Sequence, residues 1–265
     1  MTGIIIQARM SSTRLPGKVM LPLAGKEVLW HVVKRCMHCR EAGIVIVATS
    51  TEKKDDAIES YCQKNRFDVF RGDLNDVLSR YYDAATYFKL DTIVRVTSDC
   101  PLIDPFIIDE SVKLFRSAKT PPTPPYQGGD KSKHPLLTKE GRGEVDYVSN
   151  CLKRTFPRGL DCEVFSYAML HQAAANAAGN LEREHVTPWI VQHGATLPYS
   201  VPQEYEGEFR LTIDEECDYQ LLQKIYNHFY REDEIIEVKN VIVYLRTHPE
   251  LIRLNQEVLQ KHSIN

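Results

Sequence analysis

"GIIIQARMSSTRLPGK", residues 3 to 18, runs three isoleucines directly into a loop that bears Arg9, Arg14, Lys18 and the hydroxyls of Ser11, Ser12 and Thr13. An unbroken β-branched run reads as a strand covered on both faces, because a strand with one wet face alternates apolar and polar side chains. Two further runs of this kind lie at Ile44 to Ala48 and Ile93 to Val96. Between the first two, Val28, Leu29, Val32, Val33 and Cys36 recur at helical spacing, and Ala57, Ile58 and Tyr61 mark a second helix. Phe67 to Phe70 predicts a short strand and Leu74 to Phe88 another helix. This alternation predicts an α/β fold with a mostly parallel sheet and helices on both faces.

The bulk composition narrows the partners. A chain of 265 residues with 43% hydrophobic content suits one main domain, taken here as 1–265. A net charge of −3 supplies no basic field for a phosphate backbone, so no nucleic-acid partner is expected. No apolar run approaches the ~18 residues of a membrane span, and the start, MTGIII, has no basic segment before an apolar one. No membrane partner and a cytoplasmic location are therefore expected. Seven scattered cysteines (36, 39, 62, 100, 151, 162 and 217) fit a reducing compartment better than a disulfide framework. Cys36 and Cys39 have the spacing of half a zinc site or a redox pair, but no second pair matches them and they fall in an amphipathic helix, which reads as packing.

Beyond Ile108 to Phe115 the residues from Ser117 to Glu144 are rich in proline and glycine, and predict a long exposed loop whose "PPTPP" could also serve as a polyproline ligand. "DYVSN" and "LDCEVFS" predict two strands within 145–166, separated by a turn at 157 to 159 and suited to a hairpin. Helices are predicted at Tyr167 to Ala177 and Glu182 to Gln192, and "EFRLTIDEECDYQLLQKIYNHF" reads as a strand, an acidic turn and a helix.

Ligands of open α/β sheets sit beyond the carboxyl ends of the strands. The first such end carries Arg9, Arg14 and Lys18 on a loop with Gly17 as its one glycine, matching neither the dinucleotide fingerprint nor the P-loop. Its donors are side chains: guanidinium forks and an ammonium suit a polyphosphate, although a basic surface loop paired with carboxylates has the same composition. The third strand ends in "VTSDCP", placing Asp99 in the same crevice, and "LTIDEECD" places Asp214 at another strand end. Two carboxylates beside phosphate-binding cations suit Mg²⁺, which takes its other ligands from phosphates and water. Caps at a turn or helix start are the alternative, and Glu215, Glu216 and Asp218 favour a helix N-terminus.

These segments together resemble the cytidylyltransferase family that includes the spore coat polysaccharide protein SpsF and, more distantly, the 3-deoxy-manno-octulosonate and acylneuraminate cytidylyltransferases. The resemblance covers nearly the whole chain and rests on "IIIQARMSSTRLPGKVMLPLAGK", "IVIVATSTEKKDDAIE", "VFRGDLNDVLSRYYDAA", "IVRVTSDCPLIDP", "DYVSN", "GLDCEVFS", "REHVTPWI" and "LTIDEECDY". It implies a nucleotide-diphospho-sugar-transferase-like, Rossmann-like fold with a small β-hairpin appendage, which binds CTP and Mg²⁺, attaches CMP to an acceptor and releases pyrophosphate. By the same resemblance Arg14, Lys18 and Asp99 are catalytic, and Asp99 and Asp214 hold the metal. Gln7, Ala8, Arg9, Arg71, Gly72, Asp73, Asp76, Thr97 and Ser98 join Arg14 and Lys18 around the nucleotide.

Asp161, Glu163, Arg183 and His185 are the implied acceptor contacts. Asp161 and Glu163 could equally be charges on a solvent-facing strand edge, and His185 a surface histidine. The 117–144 stretch is longer than the family pattern. The acceptor implied is a small phosphorylated or acidic, sugar-like molecule used in cell-surface polysaccharide biosynthesis, and the hairpin suits pairing with a second copy as a homodimer. The rival expectations are a nucleotidyltransferase using another nucleotide, a glycosyltransferase on the same fold, or a non-catalytic scaffold.

Overall fold

The computed structural model describes residues 1–119, 145–200 and 202–258. The chain opens with β1 (Thr2–Gln7), passes through the basic loop into a small antiparallel pair, β2 (Pro22–Leu23) and β3 (Lys26–Glu27), and enters α1 (Val28–Cys36). It then alternates through β4 (Ile44–Ser50), α2 (Asp56–Asn65), β5 (Asp68–Gly72), α3 (Val77–Tyr87), β6 (Thr92–Thr97) and α4 (Pro105–Lys119). Beyond residue 144 come β7 (Tyr147–Ser149), β8 (Glu163–Ser166), α5 (Tyr167–Asn176), α6 (Asn180–His185), α7 (Pro188–His193) and β9 (Thr196–Pro198). Three helices complete the described chain: α8 (Glu216–Phe229), α9 (Val238–Thr247) and α10 (Pro249–Ile252).

Seven strands form one sheet in the order β5-β4-β1-β6-β8-β7-β9. β5, β4, β1 and β6 are parallel, β8 is antiparallel to both β6 and β7, and β9 runs parallel to β7. The expected mixed, mostly parallel α/β sheet is present. Its isoleucine run explains the layering: Ile4 and Ile6 pack with Val47, Val94 and residues of α1, α4 and α8 on one face. Ile5 points the other way, against Ile46, Ile93, Tyr81 of α3 and Leu170 of α5. Apolar cover on both faces is why these strands lack polar alternation. Cys36 lies in the first cluster, where burial pushes its thiol up to about 12.

The chain order switches at β1, with β4 and β5 laid to one side and β6 to the other. Crevices at such switch points are where open α/β sheets take ligands. Gln7 stands level with Thr97 across the parallel pair, and the Ser98 amide donates to the Gln7 carbonyl at 3.1 Å. The loops after β1 and β6 therefore leave the sheet side by side.

Four sequence expectations need revision. The predicted hairpin within 145–166 is an antiparallel pair, but it is built into the central sheet: β8 lies between β6 and β7, and β7 between β8 and β9. Neither strand has an open edge for a second copy to join. The helix over 182–192 is two helices, because Val186 takes a left-handed φ of 71° and Pro188 starts α7; a proline cannot continue a ladder of backbone donors. The strand expected in "FRLTID" is not a ladder. Its backbone bonds go to two loops, Arg158 N–H to the Phe209 carbonyl at 2.9 Å, Leu211 N–H to the Arg158 carbonyl at 2.7 Å and Ile213 N–H to the Asp99 carbonyl at 2.8 Å. Finally, Ser117 to Lys119 belong to α4, whereas residues 120–144 of the expected loop lie outside the described residues.

Gly159 makes the contact with the 209–213 segment possible. Its φ is +96°, and a Cβ there would stand 2.5 Å from the Leu211 carbonyl carbon. Gly159→Ala is expected to cost about 3 kcal/mol through backbone strain and overlap with a rigid neighbour. Denaturant unfolding measures this; a loss under about 0.5 kcal/mol, the range of an ordinary surface substitution, would show that the close approach is not obligatory.

Candidate active site

The loop after β1 is shaped by its own short bonds. The Ser12 and Gly17 amides both donate to the Met10 carbonyl at 3.0 Å, and Gly17, with a left-handed φ of 70°, turns the chain into a short 3₁₀ turn at Lys18–Met20. Glycine takes that conformation without the Cβ penalty. Asp55, fully buried before α2, accepts from the Met10 amide at 2.7 Å and from the Ser50 hydroxyl, so it ties the loop to the end of β4.

Lys18 is the meeting point. Its ammonium donates to Asp99 Oδ2 at 2.7 Å, to Asp214 Oδ1 at 2.8 Å and to the Ile213 carbonyl at 2.6 Å, while only 11% of the side chain is exposed. Three donors meet three acceptors. Burial alone would lower the pKa of this ammonium, but the charges of Asp99 and Asp214 and their hydrogen bonds outweigh it, and the net direction is up. Burial likewise opposes ionisation of Asp99, yet Lys18 beside it, with hydrogen bonds including one from Cys100, holds the carboxyl below its ordinary value.

Asp214 serves three cations. Its Oδ1 takes Lys18, and its Oδ2 takes Arg14 at 3.0 Å and Arg210 at 2.7 Å. Arg14 also reaches Glu215 at 3.0 Å. Behind them, the wholly buried Asp218 accepts from Arg210 Nε at 2.8 Å, from the amides of Asp214 and Glu215 at 3.0 Å and from Asn255 at 2.8 Å. Sequence reasoning assigned Asp218 only to a helix start and passed over Arg210 and Asp55. The spacing of Arg210, Asp214 and Asp218, four residues apart in turn, was the available signal.

A second group gathers at the start of α3. Asp73 accepts from the amides of Asn75 and Asp76, which lowers its pKa, and Asp76 caps the helix by accepting from the Ser79 amide at 2.9 Å. Arg183 bonds Asp76 at 3.1 Å, and the neighbouring Glu184 pairs with Arg9 at 3.6 Å. The "REH" segment, which ends in the half-buried His185, is thus brought against both the 73–76 turn and the basic loop.

Other expected site residues are placed as follows. Arg71 turns toward α2, pairing with Glu59 at 2.6 Å and Asp56 at 2.7 Å, and Gly72 leaves room for the Arg80 side chain, 2.9 Å from where a Cβ would stand. Gln7 accepts weakly from the Tyr81 hydroxyl at 3.4 Å, Ala8 is buried, and the Thr97 hydroxyl meets the Cys100 thiol at 3.2 Å. Asp161 forms a two-point pair with Arg154 at 3.0 and 3.1 Å. Glu163 is 8% exposed and its carboxylate accepts from Arg95, from Tyr147 at 2.7 Å and from Thr187 at 2.7 Å. Neither Arg71 nor Glu163 touches the Lys18 cluster.

Similar solved structures and relatives define the class to which this fold and site belong. A solved cytidylyltransferase from Leptospira borgpetersenii superposes with a TM-score of 0.78 at 32% identity, covering 98% of this chain and 99% of that one. The structure of a CMP:2-keto-3-deoxy-manno-octonic acid synthetase complexed with CTP superposes with a TM-score of 0.58 over 85% of this chain and 98% of that one; at 14% identity the likeness is one of fold. In sequence, the spore coat polysaccharide biosynthesis protein SpsF of Bacillus subtilis is 29% identical over 255 residues, 93% of this chain and 94% of that protein. The model of the cytidylyltransferase family matches residues 3–255, and the chain belongs to that family.

The Lys18 junction should leave a signature in the pH dependence of stability. Asp99, depressed below its ordinary 3.8, contributes fully above that pH and loses its contribution as pH falls through the folded value. Lys18, raised above its ordinary 10.5, contributes fully below that pH and loses its contribution as pH rises through the folded value. The difference in unfolding midpoint between the native chain and the double variant Lys18→Met, Asp99→Asn, in which neither group of the pair titrates, is therefore expected to be flat between these limits and to shrink beyond each. A difference that varies steadily across the neutral range would contradict the assignment.

Proposed function

We propose that this enzyme transfers CMP from CTP to a small phosphorylated or acidic, sugar-like acceptor in the cytoplasm, releasing pyrophosphate, as a step toward a cell-surface polysaccharide. The observation that supports it most is the convergence of Arg14, Lys18, Asp99 and Asp214 at the switch-point crevice of a cytidylyltransferase-family chain.

Mg²⁺ suits the carboxylates present. Asp99 and Asp214 aim one oxygen each at a single point, and among the described residues no third His, Cys, Asp or Glu completes a metal-holding group. A hard ion with two carboxylates and the rest of its shell from phosphate and water is the coordination Mg²⁺ takes. Asp99 and Asp214 would hold the ion, and when bound it would supply charge neutralisation to the reacting phosphate oxygens.

The chain's own residues do the remaining work. Arg14 and Lys18 face the charge that builds on the departing pyrophosphate, and holding the acceptor oxygen in line with the α-phosphorus removes much of the entropic barrier. Gln7, Ala8, Arg9, Thr97 and Ser98 line the nucleotide, with Gly72, Asp73 and Asp76 toward its base and ribose. Arg71 acts through the β4, β5 and α2 corner it holds. Arg183 and His185 face the acceptor together with Asp161, and Glu163 acts by orienting Tyr147 and Thr187. An acceptor that is already a phosphate or carboxylate needs no strong general base at neutral pH. The proposed homodimer would form through surfaces other than the β7 and β8 edges.

Asp99→Asn is expected to lower turnover at least ~10²-fold, the scale of losing a principal electrostatic element. An unchanged rate at saturating Mg²⁺ would remove Asp99 from the mechanism. Pyrophosphate release over a panel of nucleotides, offered with phosphorylated sugars and sugar acids, is expected to require CTP. Release of a nucleoside diphosphate without pyrophosphate, or turnover with another nucleotide in preference, would overturn the reading.

A further inference from the structure

We propose that Lys18 holds the cation position between Asp99 and Asp214 in the nucleotide-free enzyme, and gives it up to the divalent metal when metal and nucleotide arrive together. The inference rests on reading Asp99 and Asp214 as the metal carboxylates.

The geometry leaves Lys18 no capacity for a phosphate in this state. All three of its hydrogens are directed at protein oxygens, at 2.7 Å to Asp99, 2.8 Å to Asp214 and 2.6 Å to the Ile213 carbonyl. To grip a phosphate it must release at least one of them. The oxygens it would release are the two that converge on one point, so its departure opens a two-carboxylate site in the same step. Conversely, an ion entering between the carboxylates must displace the ammonium.

Charge explains why the exchange waits for the nucleotide. Arg14, Lys18 and Arg210 face Asp99, Asp214, Glu215 and Asp218, so the resting cluster has one more carboxylate than cations and carries no positive excess for a triphosphate. Without Lys18, two partly buried carboxylates would share a point with no cation between them, an arrangement that like-charge repulsion disfavours. Mg²⁺ dehydrates reluctantly and two carboxylates alone recruit it weakly. A triphosphate shifts the balance at both ends, because it gives the metal further oxygen ligands and gives the displaced ammonium new acceptors. The side chain is suited to the move: a flexible four-carbon stem with a compact charge, starting one residue after Gly17 in its left-handed turn. Arg14 and Arg210 bond the other oxygen of Asp214 and need not move. Metal and nucleotide then bind with positive coupling, each raising the affinity for the other.

Mn²⁺ reports this directly, through the enhancement of water proton relaxation that accompanies its immobilisation on protein rather than on free CTP. Without nucleotide, Lys18→Met is expected to bind Mn²⁺ at least tenfold more tightly than the native chain, and adding Asp99→Asn to that variant should abolish the gain. The increase in Mn²⁺ affinity that CTP produces in the native chain should shrink in Lys18→Met. Lys18→Gln, which keeps a donor for the Ile213 carbonyl, replaces Lys18→Met if that variant does not fold. If the native chain immobilises Mn²⁺ with CTP but the Lys18 variants bind it no better than the native chain without CTP, the exchange is wrong while the metal reading stands. If the native chain immobilises no Mn²⁺ even with CTP, both fail.

Discussion

The ammonium of Lys18 joins three parts of the chain that the sheet alone would leave separate: the loop after β1, the turn after β6 and the segment that leads into α8. Each participant is expensive to bury by itself. An unpaired ammonium or carboxylate in a protein interior would shift its pKa and lose its charge, yet here both remain ionised because each satisfies the others. The crevice at the switch point therefore has a floor of fixed charge before any ligand enters. Buried ion pairs add little to stability compared with apolar packing, and removing one partner costs more than the pair contributes. Their value here is geometric, since they fix where two carboxylates and two arginines stand.

A second layer holds that floor in place. Asp218 gathers Arg210, Asn255 and two backbone amides, Asp55 anchors Met10, and Tyr226 donates to the Pro101 carbonyl at 2.6 Å just beyond Asp99. Glu163 does the same on the other side of the sheet for Arg95, Tyr147 and Thr187. These residues meet no substrate in the proposed reaction, but they pre-set the carboxylates and arginines of the crevice, so that Lys18 is the one charged group the proposed exchange has to move.

The strands were legible because their signal is local: Ile4 to Ile6, Ile44 to Ala48 and Ile93 to Val96 need no partner to be recognised as doubly covered. The cationic loop and Asp99 followed from the same reading, since both stand at strand ends. What could not be read were the outcomes of contacts between distant segments. The "FRLTID" stretch has a strand's composition, yet Gly159 draws it onto a loop and the Asp99 carbonyl captures the Ile213 amide, so no ladder forms. Arg210 and Asp218 look like ordinary charges beside a helix start until that packing brings them behind Asp214. The edge of the 147–166 pair was misjudged for the same reason, because the strand that covers it, β9, is three residues long and carries little apolar signal. The break at Val186 was legible in Pro188, whose ring marks a boundary within an otherwise periodic stretch.

A double-mutant cycle between Lys18→Met and Asp214→Asn, followed by equilibrium unfolding at neutral pH without nucleotide or metal, measures the junction most directly. Groups joined in one buried network couple by about 1–3 kcal/mol, and a coupling in that range is the expected result. Free energies that add within about 0.3 kcal/mol, as they do for independent sites, would mean that Lys18 and Asp214 do not meet, and the account of the crevice would have to be abandoned.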